Sequence, residues 1–462
     1  MSLSRPAVPR RWRAVAAPAA AVVALLACVA PASAQSLPDL YGGTDSTCFW
    51  NIGVVNGGTI NIAYPDAGAN YWAAGYTLPE GATLRLHGEY PHARFASLQS
   101  YDLLGVGVDA LADAMIEPDP GSVNPFRPGV RRDAANRSFT VTLADTPPAT
   151  PLDADQRAGQ PARNVLHTKP MGDTTGLHAV LWRVYVPDRG TGLRGGVPLP
   201  EPELTLADGR VLTGQALCDA VTSQQRRLPD LSALLVSREQ YDAMRYRPGV
   251  PPYFPAKPKP EWRVQYNRPY LLALWSGETI ANPSKSGQGG FFPNVFNQYA
   301  RAAINRKLGP VVAFRGKLPT TPRTYRGGGV VPSDTQLRYL SLCMNESVVT
   351  TRVMDCVYDE QIPVDRQRRY TVVTSRKADR PRNAYPRCGV AWIEWSPRGD
   401  GARDHDFGWM QVRNMLPSPT FHHAIQDTRT PGDERRILGS YLPTGTYYAS
   451  KRAFEKLGCP AR

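Results

Sequence analysis

One phrase of this chain is written twice. Residues 65–91, "PDAGANYWAAGYTLPEGATLRLHGEYP", lie without a gap over residues 293–319, "PNVFNQYARAAINRKLGPVVAFRGKLP". Pro65/Pro293, Tyr71/Tyr299, Ala74/Ala302, Gly81/Gly309, Gly88/Gly316 and Pro91/Pro319 are identical, where ordinary composition gives about two matches. The correspondence continues: "RFASL" at 94–98 answers "RYLSL" at 338–342, and "FTV" at 139 answers "YTV" at 370. "VLWRVYVP" at 180–187 answers "VAWIEWSP" at 390–397, and "LPEP" at 199 answers "LPSP" at 416. Blocks that keep their order across unequal loops predict one domain duplicated in tandem. Residues kept in both copies, including the Trp182/Trp392 and Tyr71/Tyr299 pairs, are expected to serve turns and cores.

The repeated unit is expected to be mainly β. "TLRLHG" alternates Leu84 and Leu86 against Thr83, Arg85 and His87, the period of a half-buried strand. "SFTVTL" and "WRVYV" alternate likewise, and Gly, Pro, Asp and Asn bound each run. With 44 Pro and 40 Gly the chain suits a loop-rich β protein. The expectation is two tandem, duplicated, antiparallel β-sandwiches of jelly-roll type, with hairpin turns at "LPEGA" and "KLGP". A helix is expected at 230–244, with Asp230 as N-cap and Leu231, Leu234, Leu235 and Tyr241 on one face. It leads into "RPGVPPYFPAKPKPEW", whose prolines suit a connector. The predicted organisation is a leader at 1–34, a first repeat at 35–225, a connector at 226–262 and a second repeat at 263–462.

Arg10, Arg11 and Arg13 precede "AVVALLACVA" and then Ala32-Ser33-Ala34, the order of a secretory signal peptide. The expected location is therefore secreted or periplasmic. Leu25-Leu26-Ala27-Cys28 resembles a lipobox, so a lipoprotein anchored through Cys28 is the alternative. No other stretch is apolar for long enough to predict a transmembrane segment. The formal charge of +14 falls to +10 without the four leader arginines. That excess is scattered, and no zinc-finger, homeodomain or RNP pattern accompanies it, so no nucleic-acid partner is expected.

Without Cys28 six cysteines remain: Cys48, Cys218, Cys343, Cys356, Cys388 and Cys459. An even number in an exported chain predicts disulfides, and six allow 15 pairings. The preferred set joins Cys48 to Cys218, Cys343 to Cys356 and Cys388 to Cys459. No CxxC or finger-like Cys/His spacing is present, so no metal is expected. Adjacent His422 and His423 would face opposite ways on a strand, and "DGARDHDFG" at 400–408 lacks the EF-hand spacing. "GQGG" and "RGGG" are loops rather than phosphate cradles, and no cofactor is expected.

No GxSxG, HExxH, SxxK or papain-like motif occurs. Arg94 and Arg338 each stand in an Arg-aromatic-x-Ser-Leu block. An Arg beside aromatics can take a carboxylate or phosphate bidentately; the competing role is a buried ion pair. Tyr90 and His92 add aromatic and polar density before Arg94, so the expected ligand-binding set is Arg94, His92 and Tyr90, with Arg338 as counterpart.

"GPVVAFRGKLP", "LRYLSLC" and "RNMLPSP", across most of 290–421, resemble uncharacterised bacterial families, often secreted, with paired β-sandwich domains of unknown function. The first half departs from the pattern, with "EGAT" for "LGPV" and no "NQ" before its Tyr. The resemblance implies a fold and no activity. The expected function is an exported binding or envelope-associated module for a glycan, an envelope polymer or another small or polymeric ligand. The alternative is an extracellular polysaccharide-active enzyme, a glycoside hydrolase or lyase, with its site in an interdomain cleft.

Overall fold

In the computed structural model, residues 42–222, 235–285 and 292–461 are described, apart from Leu103, Ala154 and Thr279. The alternating runs form strands, and the fold is mainly β. In the first half a larger sheet has the order β1 (Val54–Val55), β2 (Ala69–Thr77), β8 (Leu177–Pro187), β4 (Ala93–Tyr101), β5 (Gly107–Ala112). A smaller sheet has the order β10 (Val211–Leu212), β9 (Glu201–Thr205), β3 (Thr83–Glu89), β6 (Ser138–Ala144), β7 (Val165–His167). Trp72, Leu98 and Val184 from one sheet and Leu84, Phe139 and Leu204 from the other share one buried core, as the faces of a β-sandwich do.

The second half repeats this order. Its larger sheet is β11 (Arg263–Val264), β12 (Asn297–Asn305), β18 (Phe407–Pro417), β14 (Leu337–Asn345), β15 (Val353–Tyr358). Its smaller sheet is β17 (Val390–Glu394), β16 (Arg369–Ser375), β13 (Val311–Lys317), β19 (Thr444–Tyr448). The larger sheets are antiparallel throughout, and the smaller ones are antiparallel except at one edge, where β7 and β17 run parallel to β6 and β16.

The twice-written Gly now has a cause. Gly88 pairs with Phe139, and a Cβ there would meet the ring at 2.5 Å. Gly316 pairs with Tyr370, whose hydroxyl would lie 2.9 Å from an added Cβ. In each copy the neighbouring strand lays an aromatic ring over the glycine, so the space must stay empty.

Three expectations are corrected. "VLWRVYVP" lies in β8, whose counterpart is β18 with "MQVRNMLP", not "VAWIEWSP", which contributes β17 at the edge of the smaller sheet. Trp182 and Trp392 are therefore not equivalent, nor are "LPEP" before β9 and "LPSP" at the end of β18. Short aromatic strands of period two look alike, and only pairing tells them apart. "LPEGA" and "KLGP" are not hairpin turns: they carry the chain from the larger sheet to the smaller one. After a first helix, α1 (Gly214–Thr222), the connector helix is α2 (Arg238–Arg245), capped by Ser237; Asp230, Leu231 and Leu234 lie outside the described residues.

Candidate functional site

β4 and β14 meet across the seam between the halves, and the two predicted arginines are its reciprocal fasteners. Arg94, 0% exposed, donates to both oxygens of Asp359 at 2.9 and 3.0 Å, to Glu360, and to Thr324 Oγ1 at 2.7 Å. Arg338 reaches back to Asp113 at 3.2 Å, and each arginine also donates to the other's carbonyl, at 3.4 and 3.5 Å. Burial pushes the Asp113 carboxyl up to about 6 in spite of Arg338 beside it, and burial likewise raises Asp359. Tyr90 and His92 stand apart from this pair. Tyr90 is buried in the first core and donates to the Ile116 carbonyl at 2.8 Å, while His92 lies against Arg137.

A second exchange surrounds a cavity. Tyr64 and Phe292, each immediately before a matched Pro, both adopt left-handed backbone, with φ of 54° and 52°. That conformation is uncommon for a large side chain, and here it aims a carbonyl at the opposite half. Arg413 Nη2 donates to the Tyr64 carbonyl at 3.2 Å, and Arg183 Nη2 donates to the Phe292 carbonyl at 3.1 Å. Arg183 on β8 and Arg413 on β18 are equivalent, each lying near the ring of its own copy of the Tyr71/Tyr299 pair, at 5.6 and 5.3 Å.

The cavity, about 130 Å³, lies on the outer face of the first larger sheet. Ile52, Val55, Ile60, Ile62 and Leu181 form its apolar wall. Arg183, Arg413, Asn294 and the tyrosines 71, 185 and 299 form its polar end. The space exists because of two small residues. Ala73 and Ala179 also line it, and by strand register they match Arg301 and Trp409 of the second copy. There Arg301 and Trp409 take the place of the two alanines, with Trp409 packed against Trp275 of α3 (Arg268–Ser276).

The two equivalent arginines differ in charge balance. Arg413 is paired with Asp66, which also accepts from Tyr339 at 2.8 Å and Ser341 at 2.7 Å. At the position matching Asp66 the second copy has Asn294, whose Nδ2 donates to the Tyr185 hydroxyl at 3.4 Å. Arg183, 2% exposed, donates to the Tyr101 hydroxyl, the Phe292 carbonyl and, at 3.5 Å, to Gln99 Oε1. These are neutral acceptors, and burial raises the Tyr71, Tyr101 and Tyr185 phenols, so all three stay uncharged. Among the described residues no carboxylate pairs with Arg183.

The grouping with metal-ligand spacing among the described residues is Asp66, Cys343 and Cys356. Cys343 and Cys356 are bonded to each other and Asp66 holds Arg413, so the thiolates a metal needs are absent. The other disulfides join Cys48 to Cys218 and Cys388 to Cys459, the preferred pairing throughout. Of the cavity residues, the Tyr71/Tyr299 pair is visible in the repeat, where its identity in both copies points to the core. Arg183 is hidden in the sequence because the counterpart of "VLWRVYVP" is set by its central place in the larger sheet.

No family model matches the chain, and no curated protein matches it. Among solved structures it is similar to an uncharacterized protein from Burkholderia cenocepacia, at 11% identity and TM-score 0.44, over 84% of this chain and 79% of that one. It is also similar to the VPA0106 protein from Vibrio parahaemolyticus, at 8% identity and TM-score 0.40, over 83% of this chain and 89% of that one. Neither name states an activity.

Proposed function

We propose that this chain is an exported ligand-binding module, and that the cavity beside Arg183 holds its ligand. The observation carrying the proposal is the cavity itself: an apolar wall opposite a few converging polar groups is how small-molecule sites are built. Its volume of about 130 Å³ is close to the roughly 150 Å³ of an apolar cavity that admits benzene. A small ring or short branched chain fits that space better than a glycan chain does. Export is supported by the leader pattern and by three disulfides, which persist in oxidising compartments. No helix among the described residues is long and apolar enough to cross a membrane.

For a polysaccharide-active enzyme two carboxylates would have to be available in the cleft. Among the described residues, four carboxylates at the seam are held by arginines: Asp66 by Arg413, Asp113 by Arg338, Asp359 and Glu360 by Arg94. Binding is tested by saturation-transfer NMR on the purified mature protein with benzyl alcohol, an uncharged ring. Transfer is expected with the wild type and is expected to vanish in Ala179→Leu, which fills the cavity while the melting temperature holds or rises. No transfer to the wild type would remove the proposal.

A further inference from the structure

The Asp66/Asn294 difference names the chemistry of the ligand. Duplication placed a buried guanidinium at the same point of both larger sheets, and among the described residues only one has a carboxylate counter-ion. An unpaired buried charge is costly, and a guanidinium has five N–H donors. Among the described residues Arg183 has three acceptors, all neutral. It lines the cavity together with Asn294. We propose that the cavity takes a small monocarboxylate with an apolar body, whose carboxylate does for Arg183 what the Asp66 side chain does for Arg413.

Three features select this class. The internal model is itself a carboxylate: Asp66 satisfies Arg413 while accepting from a tyrosine and a serine hydroxyl. Tyr71 and Tyr185, whose hydroxyls lie 3.2 Å apart, share one hydrogen bond, which leaves one comparable O–H donor at the polar end. A guanidinium fork matches a carboxylate in geometry and charge, whereas the second charge of a phosphate dianion would have no partner. The apolar body lies against Leu181, Ile52 and Ile60, in the space that Ala73 and Ala179 leave open. Arg183 is thus a specificity-determining residue, and Asn294 leaves its charge available.

This inference rests on the cavity being a ligand site, and the experiment separates the two. Benzoate and benzyl alcohol are titrated into the mature protein by calorimetry or ligand-observed NMR, for the wild type, Asn294→Asp and Arg183→Gln. For the wild type, benzoate is expected to bind at least tenfold more tightly than benzyl alcohol. Asn294→Asp supplies the missing counter-ion from within, so the preference for benzoate should disappear, benzyl alcohol binding should remain, and the melting temperature should rise. Arg183→Gln should also remove the preference, and it guards against a misfolded Asp variant. Equal affinity of the two probes for the wild type, or a preference that survives both substitutions, would overturn the carboxylate assignment while leaving the cavity a site. Failure of both probes to bind would remove the site and the assignment together.

Discussion

Asp113 shows at the scale of one residue how the seam responds to acid. Its carboxyl is pushed up by burial to about 6 from an ordinary 3.8, so the folded chain holds this proton more tightly than the unfolded chain. Between those values the folded state carries more protons, and the linkage relation then makes stability increase as pH falls. The contribution is complete below about pH 3.8 and lost as pH rises through 6, with an upper size of about 3 kcal/mol. Urea unfolding at pH 4, 5, 6 and 7 is expected to show this component in the wild type, and Asp113→Asn should flatten it. A slope unchanged by the substitution would assign the dependence to other carboxylates. At this scale the "PD" and "PN" of residues 65–66 and 293–294 were open to view in the repeat. Their meaning was not, because the arginines they face lie far along the chain.

The elements show why the "VLWRVYVP" and "LPEP" blocks do not match their sequence partners while the earlier blocks do. Gly88 and Gly316 each stand across from an aromatic ring, so the β3/β6 and β13/β16 pairs carry a local steric signature. Gly88→Ala places its new methyl against Phe139 and is expected to cost roughly 1–3 kcal/mol, the range for overpacking. A denaturant midpoint unchanged in Gly88→Ala would mean that the ring moves aside freely. β8 has no such signature. Its match to β18 rests on a central place in the larger sheet, between β2 and β4 as β18 is between β12 and β14, and position in a sheet is a non-local property. The same register places Ala73 and Ala179 against Arg301 and Trp409, the exchange from which the cavity arises.

For the molecule as a whole, covalent closure and the seam act together. Residues 37–462 form one unit, and Phe296, Tyr339 and Met415 of the second half join the core of the first. The disulfides close loops of 170, 71 and 13 residues for Cys48–Cys218, Cys388–Cys459 and Cys343–Cys356. By loop-closure entropy their removal should cost about 5, 4.5 and 3 kcal/mol in that order. Paired Cys→Ser variants, unfolded in guanidinium, measure the series, and alkylation of the mature wild type without reductant should label no thiol. A reversed order would show that the unfolded chain is not the controlling state.

Periodicity, turn residues and the repeat are local or pairwise properties of the chain, and they sufficed for a mainly β protein built twice with its cysteines joined in three pairs. Strand pairing required the tertiary structure, because a period-two pattern says which residues share a face but not which strand lies beside it. The site required it for the same reason. Arg183, Phe292 and Asn294 come together only when two segments from opposite halves exchange places across the seam. Whether a buried guanidinium is balanced depends on which carboxylate the fold brings to it, and here the fold brings Asp66 to Arg413 and Asn294 to the cavity of Arg183.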